Sequence, residues 1–310
     1  MKRLAAFALC CLLVAFLLVR CVQTRPPAPP SPSPSPIKVA AITPVIVQET
    51  PSATPQVDPT AAPSPTPTRI PGQGPLVAID PGHGGEDLGA RHFNRQGQMD
   101  LHESTITLQL ALRVGAKLQA LGYRVFYTRD GDYDPNLYER DVTGDGEINL
   151  RDVVQTRTDL VNESGADILL SLHLNAWECE DEELWRATGG TETYYCPDRP
   201  FGDRNLRLAT LVHQNILAAL RSVGHEPSDR GVLIDHAPAY PGDPGHHLMI
   251  LGPKDEIIVR PSNMPGILSE PVFITCDAEA YLVMREDVQD ALAQAYVDAI
   301  VQYFKEYPPQ

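Results

Sequence analysis

The sequence predicts an α/β domain: a mixed, mostly parallel sheet flanked by helices on both faces, preceded by a long stretch that builds no core. Three observations carry this. From residue 75 onward, short apolar runs alternate with segments of helical period, the pattern of strand–helix–strand units. One run, DILLSLH (167–173), is apolar almost throughout, as in strands covered on both faces. Finally, of the 30 prolines, 16 fall between Pro26 and Pro75, so the segment unable to pack is confined to the first quarter of the chain.

The elements follow in order. Leu76–Asp80 reads as a strand, and Ser104–Leu121 as a helix with Ile106, Leu110, Val114, Leu118 and Leu121 on one stripe and Gly122 as its stop. Tyr123–Thr128 is a strand, Asp152–Glu163 a helix, Asp167–His173 a buried strand and Thr191–Cys196 another strand. Asp203–Val223 is a long helix carrying Leu206, Val212, Ile216 and Leu220. Gly266–Ile274 is a strand, and Asp287–Glu306 closes the chain as a helix. The single α/β domain is expected over 75–308, long enough for a sizeable core.

Ahead of it, Lys2-Arg3 and the apolar run Leu4–Val19 give residues 1–21 the layout of a secretory signal or short membrane anchor. Cys21 follows as a lipidation cysteine would, although Arg20 stands where a small residue is usual. Residues 22–74, rich in Pro, Ser, Thr and Ala, favour extended polyproline conformations and read as a disordered tether. An extracytoplasmic site of action follows, with the chain secreted or attached to the membrane through its N-terminal segment.

Charge narrows the partners. Beyond residue 74 the chain has 38 acidic against 19 basic residues, a formal −19. Nucleic acid is thereby excluded, since its binding needs phosphates neutralised by Lys and Arg. Cys179, Cys196 and Cys276 lie in the domain without any CxxC spacing, which argues against a structural thiolate cluster of the usual pattern. Cys179 and Cys196 read equally as a disulfide in an oxidising compartment or as small buried residues.

Four residues at element ends can carry chemistry. His83 follows the first strand on a turn built from Gly82, Gly84 and Gly85, where α/β folds place ligands. Glu103 opens the first helix, His173 ends the DILLSLH strand just before Asn175, and Glu270 lies in MPGILSEPVF. Parallel strands would bring them to one rim. Two histidines and a glutamate meet the needs of a catalytic zinc with one open position, and an unligated carboxylate in an apolar strand can act as general base. Against this, a lone histidine after a strand is often only hydrogen-bonded, and Glu103 could merely complement a helix dipole. His246-His247, in the Pro/Gly-rich loop 237–253, are rival zinc ligands or rim residues; His92 and His102 read as loop residues near the mouth.

The segments DPGHGGEDLGA, HESTITLQLALRV, YTRDGD, RTDLVN, ADILLSLHLNA and MPGILSEPVFI occur here in that order. In them the chain resembles the zinc-dependent N-acetylmuramoyl-L-alanine amidases of the Amidase_3 type over essentially residues 75–307. The resemblance implies zinc held by His83, Glu103 and His173, with Glu270 as the catalytic glutamate. The implied substrate is peptidoglycan, cut at the amide between N-acetylmuramic acid and the L-alanine of its stem peptide. Asn175, Arg230 and Arg260 resemble positions near the groove and are expected to touch substrate, unless the arginines merely pair with the acidic domain. Pro271 and Cys276 depart from the usual pattern without removing a ligand. Two other readings stay open: an inactive peptidoglycan-binding domain on a stalk, and a zinc hydrolase of similar fold acting on another amide.

An insertion, residues 133–152, separates Thr128-Arg129 from the helix of Arg157 and Asn162. Within it Asp141, Thr143, Asp145, Glu147 (through its carbonyl), Asn149 and Asp152 take positions 1, 3, 5, 7, 9 and 12 of a calcium loop, with Gly146 at 6 and Ile148 at 8. Asp152 in place of the usual Glu resembles a dockerin loop. Since dockerins pair two such loops, a cohesin-type partner is not expected; a structural Ca2+ clip is. Glu178–Arg186 could form a short lid beside Asn175.

Overall fold

A computed structural model describes residues 74–137, 139–236 and 245–309. The expected signal or anchor (1–21), the linker to residue 73, and half of the 237–253 loop lie outside the described residues.

A central six-stranded sheet organises the domain. Its strands, in spatial order, are β4 (Arg124–Tyr127), β1 (Leu76–Pro81), β5 (Ile168–Leu172), β8 (Gly266–Glu270), β6 (Thr191–Tyr195) and β7 (Asp229–Ile234). The first four are parallel; β6 runs antiparallel to β8, and β7 follows β6 in parallel. Side chains alternate between the faces, and β1 shows the result. Val77 and Ile79 join the larger core with the helices α1 (Glu103–Ala120), α4 (Gly202–Ser222) and α6 (Glu286–Glu306). Leu76 and Ala78 face a smaller cluster with Val161 of α2 (Leu150–Ser164), Ile250, Leu251 and Leu268. Helices thus cover both faces, as the alternation of elements predicts.

The predicted strand and helix bounds hold to within a few residues, with one informative exception. The strand expected over 266–274 stops at Glu270, because Pro271 has no N–H to continue the ladder. Four elements were not anticipated: a hairpin of β2 (Arg91–Phe93) and β3 (Met99–His102), strand β7, and helix α5 (Asp277–Val283). His92 is accordingly no loop residue. It is buried in β2, its ring nitrogens 2.6 Å from Asp100 and 3.0 Å from Asp277. The segment proposed as a lid contains a short helix, α3 (Glu182–Ala187), anchored by Arg186 to Asp277 and the Phe93 carbonyl. Cys179, Cys196 and Cys276 are free thiols, so no 179–196 disulfide forms.

Candidate metal centre and its rim

The chain leaves β1 at Pro81 and turns at once, and this turn seats His83. His83 itself adopts φ 61°, with Gly84 and Gly85 also at positive φ, a conformation tolerated only where neighbours over-determine it. Here two buried arginines do so. Arg129 donates to the carbonyls of Pro81, Gly82 and Ser104, and Arg157 donates to those of Pro81 and His83. Arg157 is in turn paired with Asp80 at 2.8 Å, and Asp80 also accepts from Thr128 and Ser171. Burial opposes the Asp80 charge, but Arg157 and the Thr128 hydroxyl hold its carboxyl below the usual range.

The β2–β3 hairpin then delivers Glu103 to the same place. Its Oε2 lies 3.1 Å from His83 Nε2, and its Oε1 lies 3.0 Å from His173 Nδ1. The backbone amides of Ala90 and Leu174 donate to these oxygens. His173 follows β5, and its ring centroid stands 4.9 Å from that of His83. Ligand atoms of His83, Glu103 and His173 all lie within 4.8 Å of one another. Two glycines make the approach possible. A Cβ at Gly82 would fall 2.3 Å from the His173 ring, and one at Gly89 2.5 Å from that of His83.

These residues fit a zinc ion. Two imidazoles and a carboxylate are its ordinary oxygen and nitrogen donors, and Asp87 accepts from His83 Nδ1 at 2.7 Å, as orienting carboxylates do behind metal-bound imidazoles. Electrostatics agree. Burial disfavours a charged His83, yet Asp87 and Glu103 push it up to about 9; burial likewise opposes the Glu103 charge, and the two histidines hold that carboxyl far below its ordinary value. The pocket is built to hold positive charge.

Glu270 ends β8 beside this cluster. Burial first, then the charges of Glu192 and Glu103, push it up to about 8, against the pull of His83. The antiparallel pairing of β6 with β8 sets Glu192 directly opposite Glu270. Glu192 is 5% exposed and accepts from Asn175 Nδ2 at 2.6 Å, from the Tyr194 hydroxyl at 2.5 Å and from Arg230 Nε. Sequence reasoning singled out Asn175 and Arg230 but missed Glu192, which joins them, and Asp87. For Glu192 the signal was present: a carboxylate inside the strand TETYY, costly to bury without partners. Arg260 is not brought to this rim. Its guanidinium pairs with Asp159 at 2.7 Å and donates to the Val142 carbonyl, so it braces the insertion against α2.

A cavity of about 380 Å³ opens beside the cluster, lined by His83, His173, Val154, Leu248, Ile250 and Leu268 among others. Leu268 and Glu270, two residues apart on β8, share its side of the sheet. One wall is apolar, and its polar lining includes His83, His173, Asp87, Arg151 and Arg157.

The insertion packs against the start of α2. Asp152 is buried, accepting from the amides of Val142, Thr143 and Asn149, while Asn149 caps the helix reciprocally. Asp141 accepts from the amides of Gly144 and Gly146, and Asp145 pairs with Arg151 at 2.7 Å. Among the described residues these carboxylates are not one of the sets whose ligand atoms converge within 4.8 Å.

An α/β domain with a His–Glu–His cluster and a half-buried glutamate beside it brings together the donors and the carboxylate that metal-assisted hydrolysis needs. Residues 77–302 match the Amidase_3 family model, described as N-acetylmuramoyl-L-alanine amidase, and the chain belongs to that family. It is 29% identical over 245 residues to the germination-specific N-acetylmuramoyl-L-alanine amidase of Bacillus subtilis, covering 78% of this chain and 85% of that one. It is also 29% identical to the amidase LytC of the same organism, covering 75% of this chain and 36% of LytC. Among solved structures, the amidase AmiC2 of Nostoc punctiforme superposes with a TM-score of 0.53 at 25% identity, covering 76% of this chain and 99% of that one. An amidase from Clostridium difficile 630 does so with a TM-score of 0.53 at 27% identity, over 75% and 98%.

Proposed function

We propose that this chain is a zinc-dependent peptidoglycan hydrolase that cleaves the amide between N-acetylmuramic acid and the L-alanine of the stem peptide. The observation that carries the reading is the convergence of His83, Glu103 and His173 within 4.8 Å, beside a glutamate already inclined to hold a proton. His83, Glu103 and His173 would hold the ion. When bound, zinc lowers the pKa of a water and polarises the scissile carbonyl. Glu270 accepts the proton from the attacking water and passes it to the leaving L-alanine amine, which then departs neutral. Asp87 keeps the His83 ring aimed by holding its Nδ1–H. Asn175 and Arg230, fixed by Glu192, are placed to meet the substrate at the rim, and Leu248, Ile250 and Leu268 keep water from one side of the cavity.

Cell-wall action fits an exported chain whose first 21 residues act as signal or anchor and whose residues 22–74 span the distance to the wall. Spacing in the 141–152 loop supports a structural Ca2+ as a further part of this reading.

The test is metal-dependent turnover. Chelation abolishes release of peptide from peptidoglycan and added zinc restores it; Glu103→Ala loses one equivalent of zinc together with activity. Glu270→Gln keeps that zinc while activity falls about 10²–10⁴-fold. Full activity in the thoroughly chelated chain would refute the proposal.

A further inference from the structure

At the opposite edge of the sheet a second set of metal-binding side chains comes together. Because β6 and β7 run against β8, their carboxyl ends lie away from the amidase rim. Cys196 directly follows β6 and Asp235 directly follows β7. His247 returns to both, with its Nδ1 3.6 Å from Cys196 Sγ and 3.1 Å from each Asp235 oxygen. The ligand atoms of these three all lie within 4.8 Å of one another, and Asp198, His236 and His247 form an overlapping set.

We propose that Cys196, Asp235 and His247 form a second site for a borderline divalent transition metal, zinc being the natural occupant. Donor chemistry selects the ion. A thiolate, an imidazole and a carboxylate suit zinc, whereas calcium and magnesium take oxygen. Spacing agrees too, since zinc bonds of about 2.3 Å to sulfur and about 2.05 Å to nitrogen at the tetrahedral angle separate S and N by about 3.5 Å. A nucleophilic Cys–His–Asp relay would need thiol and carboxylate on opposite ring nitrogens. Here both face Nδ1 of His247, and Cys196 is fully buried.

Charge completes the argument. The Asp235 side chain is wholly buried, and a buried carboxylate needs a cationic or hydrogen-bonding partner, which His236 and His247 supply here. A bound divalent ion would hold Cys196 as thiolate, and thiolate plus carboxylate then balance the metal's two charges. Around this centre His236 Nδ1 lies 3.2 Å from Asp235, and Asp198 lies 3.8 Å from the far nitrogen of His247. Arg199, the neighbouring cation, is turned to the carbonyls of Leu251, Gly252 and Ser262. Gly252 leaves room for the His247 side chain, whose Cβ a methyl there would meet at 2.4 Å. Since Leu248, Met249 and Ile250 line the cavity beside the amidase cluster, the second metal would pin that wall from behind.

Cobalt(II) tests this without relying on turnover. The His–Glu–His centre contains no sulfur, so a thiolate-to-cobalt charge-transfer band on titrating the metal-stripped full-length chain reports a cysteine site and not that centre. The band should saturate within two equivalents in the natural chain and at one in His83→Ala, persist in Cys179→Ser and Cys276→Ser, and vanish in Cys196→Ser. His247→Gln should weaken cobalt binding by more than about tenfold. Absence of the band in the natural chain, or its survival in Cys196→Ser, overturns the proposal. Should Cys196→Ser fail to fold, unchanged affinity in His247→Gln overturns it equally.

Discussion

Glu270 carries a cost in stability that depends on pH. Its folded value of about 8 lies above the ordinary 4.5, so between those limits the folded metal-free chain keeps a proton that the unfolded chain has lost. The stability this group contributes is therefore full below about pH 4.5 and lost as pH rises through about 8. In the presence of chelator, Glu270→Gln should be no more stable than the natural chain at pH 4.5. By pH 8.5 it should be more stable by roughly 1–3 kcal/mol, as measured by urea unfolding at both values. Equal stability at pH 8.5 would show that the carboxylate is not disfavoured. Asp87 acts one bond further out. Asp87→Asn removes the charged acceptor from His83 Nδ1 and should lower zinc affinity about 10–100-fold in a chelator competition.

At the scale of elements, the insertion and α2 behave as one unit. Asp152 satisfies three amides in the 142–149 stretch, so Asp152→Ala leaves them unpaired and should cost about 2 kcal/mol, measurable by urea unfolding in calcium-free buffer. Calorimetry with Ca2+ then decides the metal question. One equivalent taken up by the natural chain and lost in Asp145→Ala would support the calcium clip; no uptake would leave the loop held by hydrogen bonds alone. Local sequence made much of this level legible. The helical stripe of Ile106, Leu110, Val114 and Leu118 and the run 167–173 declare themselves through burial on one face or both. His83, Glu103, His173 and Glu270 were visible because each interrupts or ends such a run. What stayed hidden depends on long-range register. Glu192 belongs to the rim only because β6 pairs antiparallel with β8, and nothing within TETYY specifies that direction. His247, weighed from sequence as a rival zinc ligand or a rim residue, lies with Cys196 and Asp235, away from the His83 cluster, for the same reason. Asp87 reaches His83 only through a turn with positive φ at 83, 84 and 85, which adjacent glycines permit but do not dictate.

For the whole molecule, the reversal of strand direction between β8 and β6 is the organising fact. It gives one edge the ends of β1, β5 and β8 together with the beginnings of β6 and β7, so His83, His173, Glu270, Glu192 and Arg230 share a rim. The Cys–Asp–His cluster takes the other. A domain with a formal −19 beyond residue 74 brings little attraction to a polyanion. The rim of His83 and His173 is proposed to hydrolyse one particular amide. The direct measurement is mass spectrometry of the ends created when the zinc-loaded chain acts on purified peptidoglycan. The hydrolysis proposed for this rim yields stem peptides with a free L-alanine amino terminus and intact glycan strands bearing free lactyl carboxylates, neither formed by Glu270→Gln. New ends within the stem peptide or between sugars, or the same products from Glu270→Gln, would contradict it.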